Sequence, residues 1–160
     1  MKKIQLTQGR AALVDDEDYE WLNQWKWTTI KRKKNYHAHR KIWVNGKRRS
    51  VYMHRQILGL DFGDKRQGDH ANSDGLDCQR LNIRICTHAQ NCMNRRKQKN
   101  TSSRFKGVVW RKASQRWCAR ITINQKYYHL GNFQFEKDAA IVYNDAAVKY
   151  FGEFAKLNIV

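Results

Sequence analysis

The stretch Arg116-Trp117-Cys118-Ala119-Arg120-Ile121-Thr122-Ile123 constrains the fold more than any other part of the chain. Its alternation puts Trp117, Ala119, Ile121 and Ile123 on one face and Arg116, Arg120 and Thr122 on the other, the period of a half-buried strand. Neighbouring strands are expected at Gly107–Arg111 and Lys126–Leu130. A helical period then takes over: Ala139, Tyr143, Ala146, Ala147 and Tyr150 form one stripe, and Gly152 offers a C-terminal stop. Alanines in the stripe let the helix lie close against a sheet. The expectation is a three-stranded antiparallel sheet packed on one helix. Its outer face should be basic, because residues 104 to 135 hold seven Lys or Arg and no acidic side chain.

The first half of the chain reads differently. Asp15-Asp16-Glu17-Asp18 with Glu20 can begin a short helix, the acids favouring its first turn. Trp21 and Trp25 are four apart and, with Trp27, are expected to build a small core rather than a base-stacking platform. Residues 31 to 60 carry ten Lys or Arg and no acid. Within them Asn45-Gly46 separates two strand-like runs, a strong hairpin signal because both turn positions need positive φ. A two-stranded basic ribbon is expected, with Arg48 and Arg49 placed to follow a phosphate backbone. A solvated, charge-guarded sheet edge is the competing role.

Charge narrows the partners. A formal net charge of +18 over 160 residues favours a polyanion, and nucleic acid before a membrane surface. There is no signal-peptide core and no apolar run long enough to span a bilayer, so the chain is expected to stay in the compartment where it is made, the cytoplasm. Cys78, Cys86, Cys92 and Cys118 form no C-x-x-C pair, and free thiols are expected. A mixed Cys/His zinc site around Cys86, His88 and Cys92 is the weaker alternative.

The chemistry concentrates between Asp69 and Asn91. Phosphodiester hydrolysis needs an activated water, a cation near the non-bridging and leaving oxygens, and fixed geometry. His70 is suited to take the proton from water. A hard divalent cation wants oxygen donors, which Asp69 and Asn91 supply if the chain folds back on itself. Asn82 would brace the intervening loop through side-chain to backbone hydrogen bonds. Thr87-His88-Ala89-Gln90 is a capping box that opens a helix before Asn91. Against this, a histidine such as His70, taken singly, is more often a surface loop residue.

Asp69-His70-x-Asn72-x-Asp74-x-Leu76-Asp77, then Arg80-Leu81-Asn82-Ile83-Arg84, Thr87 and Asn91, resembles the HNH nucleases of the ββα-metal fold, most closely those of phage homing endonucleases. The resemblance implies His70 as general base, Asp69 and Asn91 as ligands of one Mg²⁺ or Mn²⁺, and Asn82 as the structural middle residue. Many members have histidine where this chain has Asn91, which leaves few protein ligands and implies weak metal binding without DNA. Met53-His54-Arg55 is similar to the family's entry strand, giving His54 a supporting role in packing or phosphate contact.

Residues 102 to 158 resemble a second family, the APETALA2-type DNA-binding domain. Ser103-Arg104-Phe105-Lys106-Gly107-Val108, Trp117-x-Ala119-x-Ile121, His129-Leu130-Gly131-x-Phe133 and the run from Ala139-Ala140 through Leu157-Asn158 carry it. The resemblance implies a sheet that enters the major groove. Lys106 and Arg111 match contacting positions; Val109 and Arg120 depart from the usual residues, so a target sequence does not transfer. By charge and face, Arg104, Lys106, Arg111, Arg116, Arg120 and Lys126 are the contact candidates, while alternation leaves Trp110 on either side.

The expected organisation is α+β: a basic hairpin region at 1–50, a ββα-metal nuclease module at 51–96, a basic linker at 97–103 and the sheet-and-helix domain at 104–160. The expected activity is site-preferring, homing-type cleavage of double-stranded DNA by a monomer. The rival is a sequence-specific DNA-binding regulator whose nuclease module is inert. One centre in a monomer fits nicking, whereas a dimer or sequential nicks would break both strands.

Overall fold

The computed structural model describes residues 1–32, 35–98 and 100–160. Lys33 and Lys34 of the basic stretch and Lys99 of the expected linker lie outside the described residues. The architecture is α+β, built from small antiparallel sheets, and the chain divides into two compact units, Met1–His88 and Ala89–Val160.

The first unit opens with a hairpin, β1 (Lys2–Gln5) and β2 (Ala11–Val14), followed by α1 (Asp16–Asn23). A three-stranded sheet follows: β3 (Thr28–Arg32), β4 (Asn35–Val44) and β5 (Lys47–Tyr52), in that spatial order. Asn45 and Gly46 make the β4–β5 turn with φ of 49° and 70°, the left-handed pair that an Asn-Gly hairpin requires. The ribbon expected to have two strands therefore has three. Thr28–Arg32 joins β4 along its whole length, a strand that the adjoining charge run hid in the sequence. Then come α2 (Met53–Ile57) and a second hairpin, β6 (Gln67–His70) with β7 (Ile83–Cys86).

Ile4, Val14, Leu22, Trp27, Met53 and Ile83 share one core, with Trp21 and Trp25 packed against it edge-to-face. These tryptophans are core residues: the Trp27 indole is 1% exposed and donates to the Leu22 carbonyl. The acids before α1 do more than favour a helix terminus. Asp15 occupies the N-cap position without capping; its carboxylate accepts from the Arg80 backbone N–H at 2.7 Å and from Gln79 Nε2 at 3.2 Å. Asp18, fully buried, accepts from Arg80 Nε and Nη2 at 2.8 and 2.7 Å and from the Trp21 indole N–H. The N-terminal helix thus anchors the loop that leads into β7.

After β7 and Thr87 comes α3 (His88–Met93). The second unit's sheet has β9 (Arg116–Ile123) at its centre, between β8 (Val108–Arg111) and β10 (Lys126–Phe133), and α4 (Glu136–Phe151) covers one face. Ala139, Ala140, Tyr143, Ala146, Ala147 and Phe151 are the buried side of α4. Tyr150, expected on that stripe, is half exposed, and Phe151 takes the last core position. Gly107 is fixed by a close approach: at φ +76°, any Cβ there would lie 2.0 Å from the Tyr143 ring. None of the four cysteines is in a disulfide, and burial pushes the Cys78 thiol up to about 12.

Candidate functional site

The β6–β7 hairpin carries Asp69 and His70 at the end of its first strand. Asp69 stands opposite Arg84 and His70 opposite Ile83 in the antiparallel register. Cross-strand partners share a face, so the Asp69 carboxylate meets the Arg84 guanidinium, with Oδ2 accepting from Nη2 at 2.9 Å and from Nε at 3.1 Å. Both side chains are largely buried. In the sequence Arg84 is only one position of a longer motif; its place opposite Asp69 follows from a register that composition does not reveal.

Between the two strands, residues 71–82 form a loop held from inside. Asn82 accepts from the Asn72 backbone N–H at 3.0 Å through Oδ1, donates to the Asp77 carbonyl at 2.7 Å through Nδ2, and offers its own carbonyl to Ala71 N–H. Asp74 and Asp77 turn back onto the backbone of Leu76 and Gln79. Because the loop closes on itself, β6 ends with its last two side chains in a set position.

His70 is buried against two further imidazoles. Its ring centroid is 4.6 Å from that of His54 on α2 and 5.6 Å from that of His37 on β4. Desolvation lowers the pKa of all three: His70 to about 4, with the neighbouring His37 adding to the effect and Asp69 and Asp74 opposing it; His54 well below its ordinary value; and His37 more modestly. At neutral pH the cluster is therefore uncharged. Two glycines form its walls. A Cβ on Gly68 would meet the His54 ring at 2.6 Å, and one on Gly75 would meet the His37 ring at 2.5 Å and the Tyr36 carbonyl at 2.4 Å. His37 escaped the sequence reading because a histidine in a lysine-rich stretch carries no spacing signal toward residues thirty positions downstream.

Asp69 supplies a carboxylate oxygen and His70 an uncharged imidazole on one strand end. That donor chemistry fits a hard divalent cation at the oxygen and a proton acceptor at the nitrogen. Asn91 lies in α3, half-buried and assigned to the second unit.

In the second unit, register sorts the cationic candidates. Arg111 and Arg116 are direct cross-strand partners, and both lie, with Arg120, on the face turned away from α4. The Arg120 guanidinium sits 5.4 Å from the centre of the exposed Tyr127 ring. Trp110 pairs with Trp117 on the helix face, their rings 5.0 Å apart, which settles the side that alternation left open. Lys126 stands opposite Ile123, on the helix side of the sheet. Arg104 and Lys106 precede the strands and line a separate cavity with Arg96, Lys97, Lys137 and Lys156. Arg104 also pairs with Glu136 at 3.6 Å. Burial, with Lys156 adding to it, brings the Lys106 ammonium down to about 8. Arg48 and Arg49 are exposed on β5 of the first unit.

The structure thus sets a histidine and a carboxylate at the end of one hairpin strand, with an asparagine bracing the loop that follows. No protein-family model matches the chain. An uncharacterised HNH endonuclease of Acanthamoeba polyphaga mimivirus is 32% identical over 138 residues, which are 83% of this chain and 71% of that protein. The chain belongs to the HNH endonuclease family. Among the described residues, no helix is long and apolar enough to cross a membrane.

Proposed function

We propose that the chain is a metal-dependent DNA endonuclease of the homing type, in which a ββα-metal module at 51–96 cuts and an APETALA2-type domain at 104–160, joined by the basic segment 97–103, supplies site preference. The observation that carries the reading is the buried, uncharged His70 beside the Asp69 carboxylate, on a hairpin whose loop Asn82 closes and which α3 follows in the chain.

His70 is the general base: it takes the proton from the attacking water. Burial makes it a weak base in the free protein, and an incoming phosphodiester anion raises its pKa toward the useful range. Asp69, kept in place by Arg84, would be a ligand of one Mg²⁺ or Mn²⁺, and the resemblance to HNH nucleases adds Asn91 as the other. When bound, that ion stabilises charge on the phosphate and the departing 3′ oxygen. Asn82 positions the hairpin. In the second unit, Arg111, Arg116 and Arg120 are the proposed duplex contacts, with Tyr127 beside them; Arg104 and Lys106 serve phosphates from their own cavity. Arg48, Arg49 and Lys126 are secondary phosphate contacts.

The test is cleavage of supercoiled and long linear duplex DNA with Mg²⁺, Mn²⁺ or EDTA, beside the His70→Ala protein. Metal-dependent nicking or linearisation, reduced by about 10²–10⁴-fold in the variant while duplex binding persists, is the expected result. Tight, salt-sensitive binding of a DNA that is never cut would instead make the chain a regulator with an inert nuclease module.

A further inference from the structure

Three imidazoles from three different elements converge where the proposed oxygen-ligated centre needs only one. The ligand atoms of His37, His54 and His70 all lie within 4.8 Å of one another. The rings meet tilted or edge-on, not stacked face to face. The Nδ1 atoms of His37 and His54 are buried and make no hydrogen bond, an arrangement a folded interior otherwise avoids. Gly68 and Gly75 leave room for the His54 and His37 rings that a Cβ at either position would take. His37 is half-buried, which gives the cluster a side toward solvent.

We propose that His37, His54 and His70 form a nitrogen-donor site for a borderline transition metal of the Zn²⁺ class, distinct from the oxygen-ligated Mg²⁺ or Mn²⁺ centre, and that its occupation disables His70 as a base. Donor type separates the two sites: hard cations choose carboxylate and carbonyl oxygens, whereas neutral imidazoles select zinc, cobalt, nickel and copper. Imidazole ligates in its neutral form. Tetrahedral coordination with metal–nitrogen bonds of about 2.1 Å places ligand nitrogens about 3.4 Å apart, so small ring rotations complete the site and leave a fourth position for water. The consequence for catalysis follows from tautomerism. A neutral imidazole that coordinates through one nitrogen carries its single proton on the other, so neither can take a proton from water. This second part rests on the proposed role of His70; the metal site itself does not.

The test titrates the full-length, metal-free protein with Co²⁺, read by its visible ligand-field absorption, followed by displacement with Zn²⁺. One saturable equivalent with a four-coordinate spectrum is expected. His37→Ala and His70→Ala should each weaken it by at least about tenfold, while His129→Ala leaves it unchanged. Circular dichroism and a thermal melt of each variant, with His37→Asn as a second probe, separate a lost ligand from a lost fold. Absence of saturable Co²⁺ binding, or equal affinity in a folded His37 variant, overturns the site. With DNA and Mg²⁺ present, Zn²⁺ should inhibit wild-type cutting in the concentration range of its binding, and His37→Ala should require at least about tenfold more. Inhibition with equal potency in both proteins overturns the link to catalysis. A chain that shows the cobalt spectrum but never cuts DNA keeps the site and removes the nuclease reading; a chain that cuts without the spectrum does the reverse.

Discussion

The two units treat charge in opposite ways. In Met1–His88 the arginines near the hairpin end on carboxylates, Arg80 on Glu17 and Asp18 and Arg84 on Asp69, while the histidines are desolvated into neutrality. In Ala89–Val160 the sheet sets Arg111 directly opposite Arg116, and no acid occurs between residues 104 and 135. Like charges placed across a ladder destabilise it, so that face is maintained against its own stability. Paired charge fixes atoms in position; unpaired charge is presented to a partner. A unit proposed to perform chemistry and a unit proposed to hold a polyanion differ in just this respect.

Arg80→Ala is the hardest test of the first half of that contrast. It leaves the Asp18 carboxylate buried with only the Trp21 N–H, and removing one partner of a buried ion pair costs several kcal/mol. The Arg80 side chain is half exposed, which places the expected loss near the lower end, about 3 kcal/mol. Denaturant unfolding resolves this by the shift in midpoint, and hydrogen exchange should put the loosened amides in α1 and the 71–82 loop. An unchanged midpoint would mean that the pairing is incidental and that the contrast between the units is only compositional.

How the pairing arises also shows what could be read beforehand. The Asn45-Gly46 turn, the alternation of Arg116–Ile123 and the alanine stripe of α4 depend on neighbours within a few residues, and each is visible in the chain. The acids before α1 look like ordinary N-terminal helix charges, since nothing local says that Asp15 and Asp18 meet an arginine more than sixty residues away. The same holds for His37: its partners His54 and His70 are reached only after β4, α2 and β6 have packed. Asp69 and His70 could be singled out because they are adjacent, but Arg84 required the register of β6 on β7. Lys126 is the converse case. Its charge suggested a place beside Arg116 and Arg120, and the ladder puts it opposite Ile123.

Acid should weaken the first unit selectively. His70 titrates near 4 when folded and near 6.5 when unfolded, so between those values the unfolded chain binds more protons. Stability is therefore complete above about pH 6.5 and falls as the pH drops toward 4, by at most about 3 kcal/mol from this one ring, with His54 adding in the same direction. Hydrogen exchange followed across that range should show protection declining in β4, α2 and β6. Histidine ring resonances provide the sharper check, because His54 and His70 should remain neutral well below the ordinary imidazole pKa. A first unit whose protection does not change between about pH 7 and about pH 4.5 would show that these imidazoles are solvated, and the argument for a neutral cluster would fall.

The smallest expected effects distinguish the faces of the second unit's sheet. Arg116→Ala and Arg120→Ala each remove one cation from the outer face, and each should weaken duplex binding by about 1 kcal/mol and lower the slope of log affinity against log salt by about 1 if the contact is to phosphate. A base contact would instead relax preference at one position of the site and leave the salt slope nearly unchanged. Lys126→Ala changes the formal charge equally but sits across from Ile123 on the helix side, so its effect should be smaller than either arginine's. Fluorescence anisotropy at several salt concentrations measures all three. Arg120→Ala should still support metal-dependent cutting at saturating DNA, because the cutting residues proposed lie elsewhere in the chain. Loss of all cutting at saturation would mean that the outer face positions the scissile phosphate as well as holding the duplex, and the division of labour between the units would have to be given up. Equal losses from Lys126→Ala and Arg120→Ala would mean that net charge, and not the face that register selects, governs binding.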